Sequence, residues 1–268
     1  MMSALKGMFS FFTMIRLDTT QEDMDAMDRN FWMVPMVGVF YGLIAAIMMT
    51  ALVDFFYVGT LAAAVVTFFM IFCINRFLHI DGTADVGDGL VVAGTQEDHL
   101  RALKDSRIGA GGMAFALMII LASLVMAASV PILLIAFALF SAEVLAKTGM
   151  VSAAAFGEPG EEGMASNCVR NTTSQSLLFA TVLSAVLISA FCVLIHILEA
   201  HTSLPVALPG SLIVWFVLAF AVAILAGAFM AWIAKRNFGM VNGDVLGATN
   251  EITRAAVLLT LLIFISVI

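Results

Sequence analysis

The chain has 268 residues, a net charge of −7, 62% hydrophobic residues and only 12% charged ones. Soluble domains carry about twice that charged share, and a mean hydropathy of +1.08 excludes an ordinary soluble core. No basic tract is present to follow a nucleic-acid backbone, so nucleic acid is not an expected partner.

The first 17 residues hold Lys6 and Arg16 but no long apolar run followed by small residues, so no cleavable signal peptide is expected. Leu5–Leu17, rich in Phe and Met, reads as an interfacial anchor. Beyond it lie long blocks free of Asp, Glu, Lys and Arg, at 30–53, 55–75, 108–142, 171–198, 200–234 and 255–268. A bilayer span needs about 20 apolar residues. The block 108–142 holds Pro131 near its middle and predicts a helical hairpin. The block 200–234 starts with a polar stretch, His201–Pro209, and predicts one span from about Ser211.

Seven spans are therefore expected, near 31–53, 57–76, 113–129, 131–148, 176–198, 211–234 and 254–268. The fold class is all-α, a polytopic membrane bundle forming one domain over 1–268. On one side lie the segments 1–30, 77–112, 149–175 and 235–253. All 12 Lys and Arg residues fall on that side or at its helix ends, which makes it the cytosolic side. The N-terminus is then cytosolic, and the protein sits in the cell membrane among its lipids. Far-side links are expected at Asp54, Val130 and Glu199–Pro209. Cys73, Cys168 and Cys192 follow no spacing, so neither a disulfide framework nor a cysteine metal site is expected.

Chemistry concentrates in the segment 77–112, read as a cytosolic active-site loop. It contains His79-Ile-Asp-Gly-Thr-Ala-Asp-Val-Gly-Asp-Gly-Leu90. Spacings of four and three put Asp81, Asp85 and Asp88 on one helical face. Three carboxylates that close repel unless a cation joins them, and hard oxygen ligands suit Mg²⁺ shared with substrate phosphates. Gly82, Gly87 and Gly89 leave room for a diphosphate to approach. A solvated acidic loop is the alternative. Arg101, Lys104 and Arg107 follow at helical spacing and lead into Gly109–Gly112. They suit either phosphate binding or anchoring at a membrane boundary, and the glycine run favours a phosphate-contacting turn. A third patch, Asn242, Asp244, Asn250 and Glu251, completes a metal shell, positions a hydroxyl, or caps a helix. Glu143 and Lys147 stand at i, i+4 and are expected to pair. His79 precedes the acids and is a candidate phosphate donor.

These blocks resemble cobalamin synthase, the membrane-bound adenosylcobinamide-GDP ribazoletransferase family. His79–Leu90 resembles the family's H-x-D-G-x-A-D-x-x-D-G block, and Lys104-Asp-Ser-Arg-Ile-Gly-Ala-Gly-Gly112 its K-D-S-R-x-G-x-x-G block. Gly243–Glu251 resembles its C-terminal block, and Pro35, Gly38 and Gly42 its first-span pattern. The family's Arg-Pro in the middle loop is missing: 157–163 reads Gly-Glu-Pro-Gly-Glu-Glu-Gly, which leaves Lys147 as the cation for that region.

The resemblance implies that a corrinoid nucleotide and ribazole, or its 5′-phosphate, are joined with release of GMP. Mg²⁺ is the implied cofactor, held by Asp81, Asp85 and Asp88. Arg101, Lys104 and Arg107 are expected to neutralise the leaving phosphate, and Asp244 or Asp88 to accept the hydroxyl proton. His79, Lys147, Asn242, Asn250 and Glu251 are expected to contact substrate. A phosphotransferase of the CDP-alcohol type, or a transporter, is the alternative function, and a homo-oligomer is left open.

Overall fold

The computed structural model describes residues 1–201 and 212–267, with side chains described outside 199–212. Among them there are twelve α-helices and no strand. Most of the far-side link at Glu199–Pro209 lies outside the described residues.

Two short helices precede the bundle. Helix α1 (Met2–Phe12) packs on α2 (Gln21–Arg29) through Ala4, Gly7 and Met8. Thr20 and Asp23 form a reciprocal cap at the start of α2, satisfying its otherwise free amides. The anchor thus covers the protein itself: the Tyr41 hydroxyl donates to the Phe12 carbonyl.

Helix α3 (Pro35–Thr50) ends in a π-helical turn at Ala51–Phe55. Helix α4 (Thr60–Ile74) has 15 residues, about 22 Å of rise, and is too short alone for a hydrocarbon core of about 30 Å. It meets α5 (Leu78–Val91) at a bend of 92°. Arg76 and Phe77 adopt left-handed backbone there, with φ of 56° and 58°, which breaks the helix. Helix α6 (Gln96–Leu103) is short and capped by Thr95 and Asp98.

The remaining helices are long: α7 (Ala110–Ser129), α8 (Ile132–Phe156), α10 (Ser174–His201), α11 (Leu212–Asn237) and α12 (Gly243–Val267), with the short α9 (Met164–Asn171) between α8 and α10. Among the described residues, six helical segments are long and apolar enough to cross a membrane, or seven if the bent α4–α5 pair counts as one. The chain is an all-α polytopic membrane protein.

The Pro131 hairpin is present, since α7 stops at Ser129 and α8 starts at Ile132. The last span begins at Gly243 rather than 254, which removes its apparent shortness. The segment 77–112 is mostly helix, not loop.

Helix α8 is the axis. It is buried on all sides from Phe137 to Ala154, as expected of a helix that is apolar all round. Gly38 and Gly42 let α3 lie against it, since a Cβ at either would stand 2.8–2.9 Å from α8 backbone. Large apolar side chains on α7, α10 and α11 face outward, where lipid is the matching solvent. Cys73, Cys168 and Cys192 are free thiols.

Candidate functional site: an acidic mouth over an apolar chamber

The bend turns α5 across the starts of α7 and α12. Gly82 and Gly87 make this crossing close. A Cβ on Gly82 would stand 2.7 Å from the Asp244 Cα, and one on Gly87 would stand 2.9 Å from the Gly112 Cα. These glycines admit neighbouring helices, not a diphosphate. The expectation that they open the backbone to substrate is corrected: helix backbones already fill that space.

The same crossing places acids from two distant segments together. Asp81 and Asp85 from α5, Asp244 from α12 and Lys104 line one open pocket of about 380 Å³, with Asp105 and Ser106. Asp85 is half-buried, and its carboxyl is pushed up to about 7 by burial and by Asp244, Asp81 and Asp88. Burial and clustered negative charge both favour the protonated acid.

Asp88 shares the helical face but has partners of its own. The amides of Gly109 and Gly112 donate to its two carboxylate oxygens at 2.6 and 2.7 Å. It caps α7, satisfying the free amides of that helix start. The Gly109–Gly112 turn therefore presents two of its amides to Asp88, which corrects its reading as a phosphate cradle.

Asn242 supports Asp244. Its side-chain amide donates to Asp244 Oδ2 at 2.7 Å, and its oxygen accepts from the Val245 amide at 3.1 Å. One side chain thus both caps the helix and orients an acid. Lys104 also borders a second pocket of about 590 Å³ between α6, the turn at Phe238–Met240 and the loop at Pro159–Glu162.

The other basic residues of this segment are committed elsewhere. Arg101 lies outward beside Glu97 and Asp98 at 3.5 and 3.6 Å. Arg107 forks onto Asp105 at 2.8 and 3.0 Å, and its side chain and amide hold the Asp105 carboxyl down at about 2. The expected helical repeat of these cations fails because α6 ends at Leu103.

Behind the mouth, Asp81 and Asp244 also line a narrow apolar cavity of about 100 Å³. Its walls come from Phe11 and Phe12, Met27, Phe31, Met164 and Leu246, and His79 opens onto it. His79 is 1% exposed, which corrects its expected reach to phosphate at the open mouth. The aromatic and methionine wall carries no signal in the sequence, because its residues come from five separate segments.

Deeper still lies a closed ionic network. The Arg254 guanidinium donates to Glu143 at 2.6 and 3.2 Å and also to Glu251. The Lys147 ammonium donates to Asn250 at 2.6 Å, and the Asn250 amide donates to Glu251 at 3.0 Å. The ammonium lies 5.2 Å from the centre of the Tyr41 ring. Each member is at most 1% exposed. The expected Glu143–Lys147 pair is corrected, since Glu143 takes Arg254 instead. Lys147, Asn250 and Glu251 face one another rather than the mouth. By sequence Arg254 reads only as positive charge at a helix end. Its spacing of three from Glu251 was the available signal.

Among the described residues, no three His, Cys, Asp or Glu side chains form a ready metal cage. Mg²⁺ bound by one or two carboxylates and by substrate phosphates needs none. The raised Asp85 carboxyl marks where negative charge lacks compensation, so the donors at the mouth fit such an ion.

A family profile described as cobalamin-5-phosphate synthase matches residues 4–262. The chain is 33% identical to the adenosylcobinamide-GDP ribazoletransferase of Methanocella arvoryzae over 266 residues, covering 96% of this chain and 94% of that one. It is 29% identical to the enzyme of that name from Methanococcoides burtonii, covering 99% and 93%. For the one from Pyrococcus furiosus, identity is 28% and the shares are 96% and 98%. No solved structure matches the chain. With nearly its whole length matched, the chain belongs to the cobalamin-5-phosphate synthase family.

Proposed function

We propose that this protein is an adenosylcobinamide-GDP ribazoletransferase, which joins adenosylcobinamide-GDP to α-ribazole or its 5′-phosphate and releases GMP. Family membership supports the reaction class. The single observation that carries the site is the shared wall. Asp81 and Asp244 border both the charged mouth and the apolar chamber. A reaction between a diphosphate and a partly apolar alcohol needs both environments at one point.

Asp81, Asp85 and Asp244 would hold Mg²⁺ at the mouth. When bound, Mg²⁺ supplies charge neutralisation to a diphosphate and fixes its orientation. A secondary ribose hydroxyl of ribazole, free in the 5′-phosphate as well, attacks the phosphorus that bears the corrinoid. The bond from that phosphorus to the bridging oxygen breaks, and GMP leaves. Asp244, steadied by Asn242, accepts the hydroxyl proton, because Asp88 is occupied by two amides. Lys104 neutralises the departing phosphate, since Arg101 and Arg107 sit in their own ion pairs. Most of the catalytic effect then comes from positioning and electrostatics.

Positive charge clusters at the helix ends around the mouth, which supports a cytosolic face in the cell membrane. The test is direct. Purified protein with adenosylcobinamide-GDP, α-ribazole and Mg²⁺ should release one GMP per adenosylcobalamin formed. No GMP above a protein-free control, or GMP without the joined product, would overturn the assignment.

A further inference from the structure

The chamber behind Asp81 and Asp244 has two properties that belong together. Its walls are apolar and largely aromatic or sulfur-bearing, from Phe11, Phe12, Met27, Phe31, Met164 and Leu246. One polar side chain, His79, is buried against it, and neither ring nitrogen has a hydrogen-bond partner. The nearest acid, Glu251, stands 3.7 Å from Nδ1, beyond hydrogen-bond range. A buried polar group left unpaired costs about 1–3 kcal/mol, and such groups in native proteins call for an explanation. A ligand atom with a lone pair would provide one.

The size of the chamber also bears on its occupant. Dry apolar cavities of about 150 Å³ take up benzene; at about 100 Å³ the chamber is smaller, so a flat ring system enters it edge-on and in part, its remainder lying in the mouth. A phosphate or a sugar alone would leave the apolar walls unused. A lipid chain would leave His79 unsatisfied.

From this we infer that the chamber binds the heteroaromatic base of the ribazole substrate, with a His79 ring N–H donating to the free ring nitrogen of that base. This rests on the transferase reading above and names the subsite for its nucleophile. The ribose then lies at the Asp81–Asp244 wall, where a secondary ring hydroxyl meets the acid that takes its proton. The base is thereby selected by shape and by one hydrogen bond, before any phosphate is touched.

The test compares α-ribazole with an indole riboside, in which the free ring nitrogen is replaced by C–H. Both GMP release and equilibrium binding of the riboside are measured, with the full-length protein in lipid nanodiscs. The wild-type protein should favour ribazole about tenfold in KM and in binding, as expected for one buried hydrogen bond. In His79→Phe this preference should vanish, while the KM for adenosylcobinamide-GDP stays within about twofold; His79→Gln, which keeps an N–H donor, should restore part of it.

A second variant avoids His79 altogether. Ala165 lines the chamber and is partly exposed. Ala165→Trp should weaken ribazole binding and leave the corrinoid nucleotide unaffected. Equal use of the two ribosides by the wild type would overturn the inference. So would an undiminished preference in His79→Phe, or an effect of Ala165→Trp on the corrinoid nucleotide alone. Should His79→Phe fail to fold, the wild-type preference and Ala165→Trp decide. Absence of GMP release by the wild type with either riboside is a different failure, that of the reaction itself.

Discussion

Asp85 and Glu143 sit on helices that both pack against α12, yet α12 answers them differently. To Glu143 it offers Arg254, and the two carboxylates and two cations of the interior balance within hydrogen-bond reach. To Asp85 it offers Asp244, another acid, and the charge is left open. The interior network holds helices together, because buried charges persist where they are paired. The mouth is unbalanced where an incoming ligand can balance it. Unequal compensation thus separates the region that builds the protein from the region that acts.

The strongest way to break this contrast is to unbalance the interior. Arg254→Met leaves Glu143 and Glu251 buried without a cation and should cost about 3–5 kcal/mol of stability, read as a loss of folded protein in detergent. Replacing Glu143 and Glu251 by Gln as well should recover much of that loss. A single variant as stable as wild type would show that the network is not structural.

Unbalancing the mouth should do the reverse. Asp85→Asn should cut GMP release by about 10²–10³-fold while folding and membrane insertion persist. Near-normal turnover would remove Asp85 from the site.

Packing supplies a third, smaller effect. Gly87→Val sets a branched side chain against the Gly112 backbone and should cost about 1–3 kcal/mol, read as a lower Tm, because α5 must retreat from α7.

Acidity sharpens the comparison further. The Asp85 carboxyl lies near 7 in the folded protein against 3.8 ordinarily, so folding takes up a proton. The contribution is full below about 4 and is lost as pH rises through about 7. Without divalent cations, Tm should therefore fall more between pH of about 5 and about 8 in wild type than in Asp85→Asn. Added Mg²⁺ should remove the difference, and equal slopes in the two proteins would contradict it. Least of all, Arg101→Ala should leave turnover within about twofold, since its pairs are exposed.

Much of this was legible in the sequence. Uncharged blocks of bilayer length mark the long helices, and Pro131 marks the hairpin, because both depend on local composition. The acids of α5 follow from spacing alone. Their division did not. Asp81 and Asp85 face the mouth while Asp88 caps α7 only because of the elbow at Arg76 and Phe77, and left-handed backbone at those residue types has no sequence signature. Local spacing matches Glu143 with the nearest cation in the chain, Lys147, whereas the fold supplies Arg254 from 111 positions away. The chamber was invisible for the same reason: its walls meet only in three dimensions.

Helix α12 has a consequence for how such a chain comes into being. It follows every other helix in synthesis, yet it brings Asp244 to the mouth and Asn250, Glu251 and Arg254 to the interior. Until it docks, Glu143 and Lys147 lack Arg254 and Asn250, their hydrogen-bond partners. Docking supplies both partners and closes the reaction centre in the same movement. Competence is thus withheld from the nascent protein until α12 has been threaded into place.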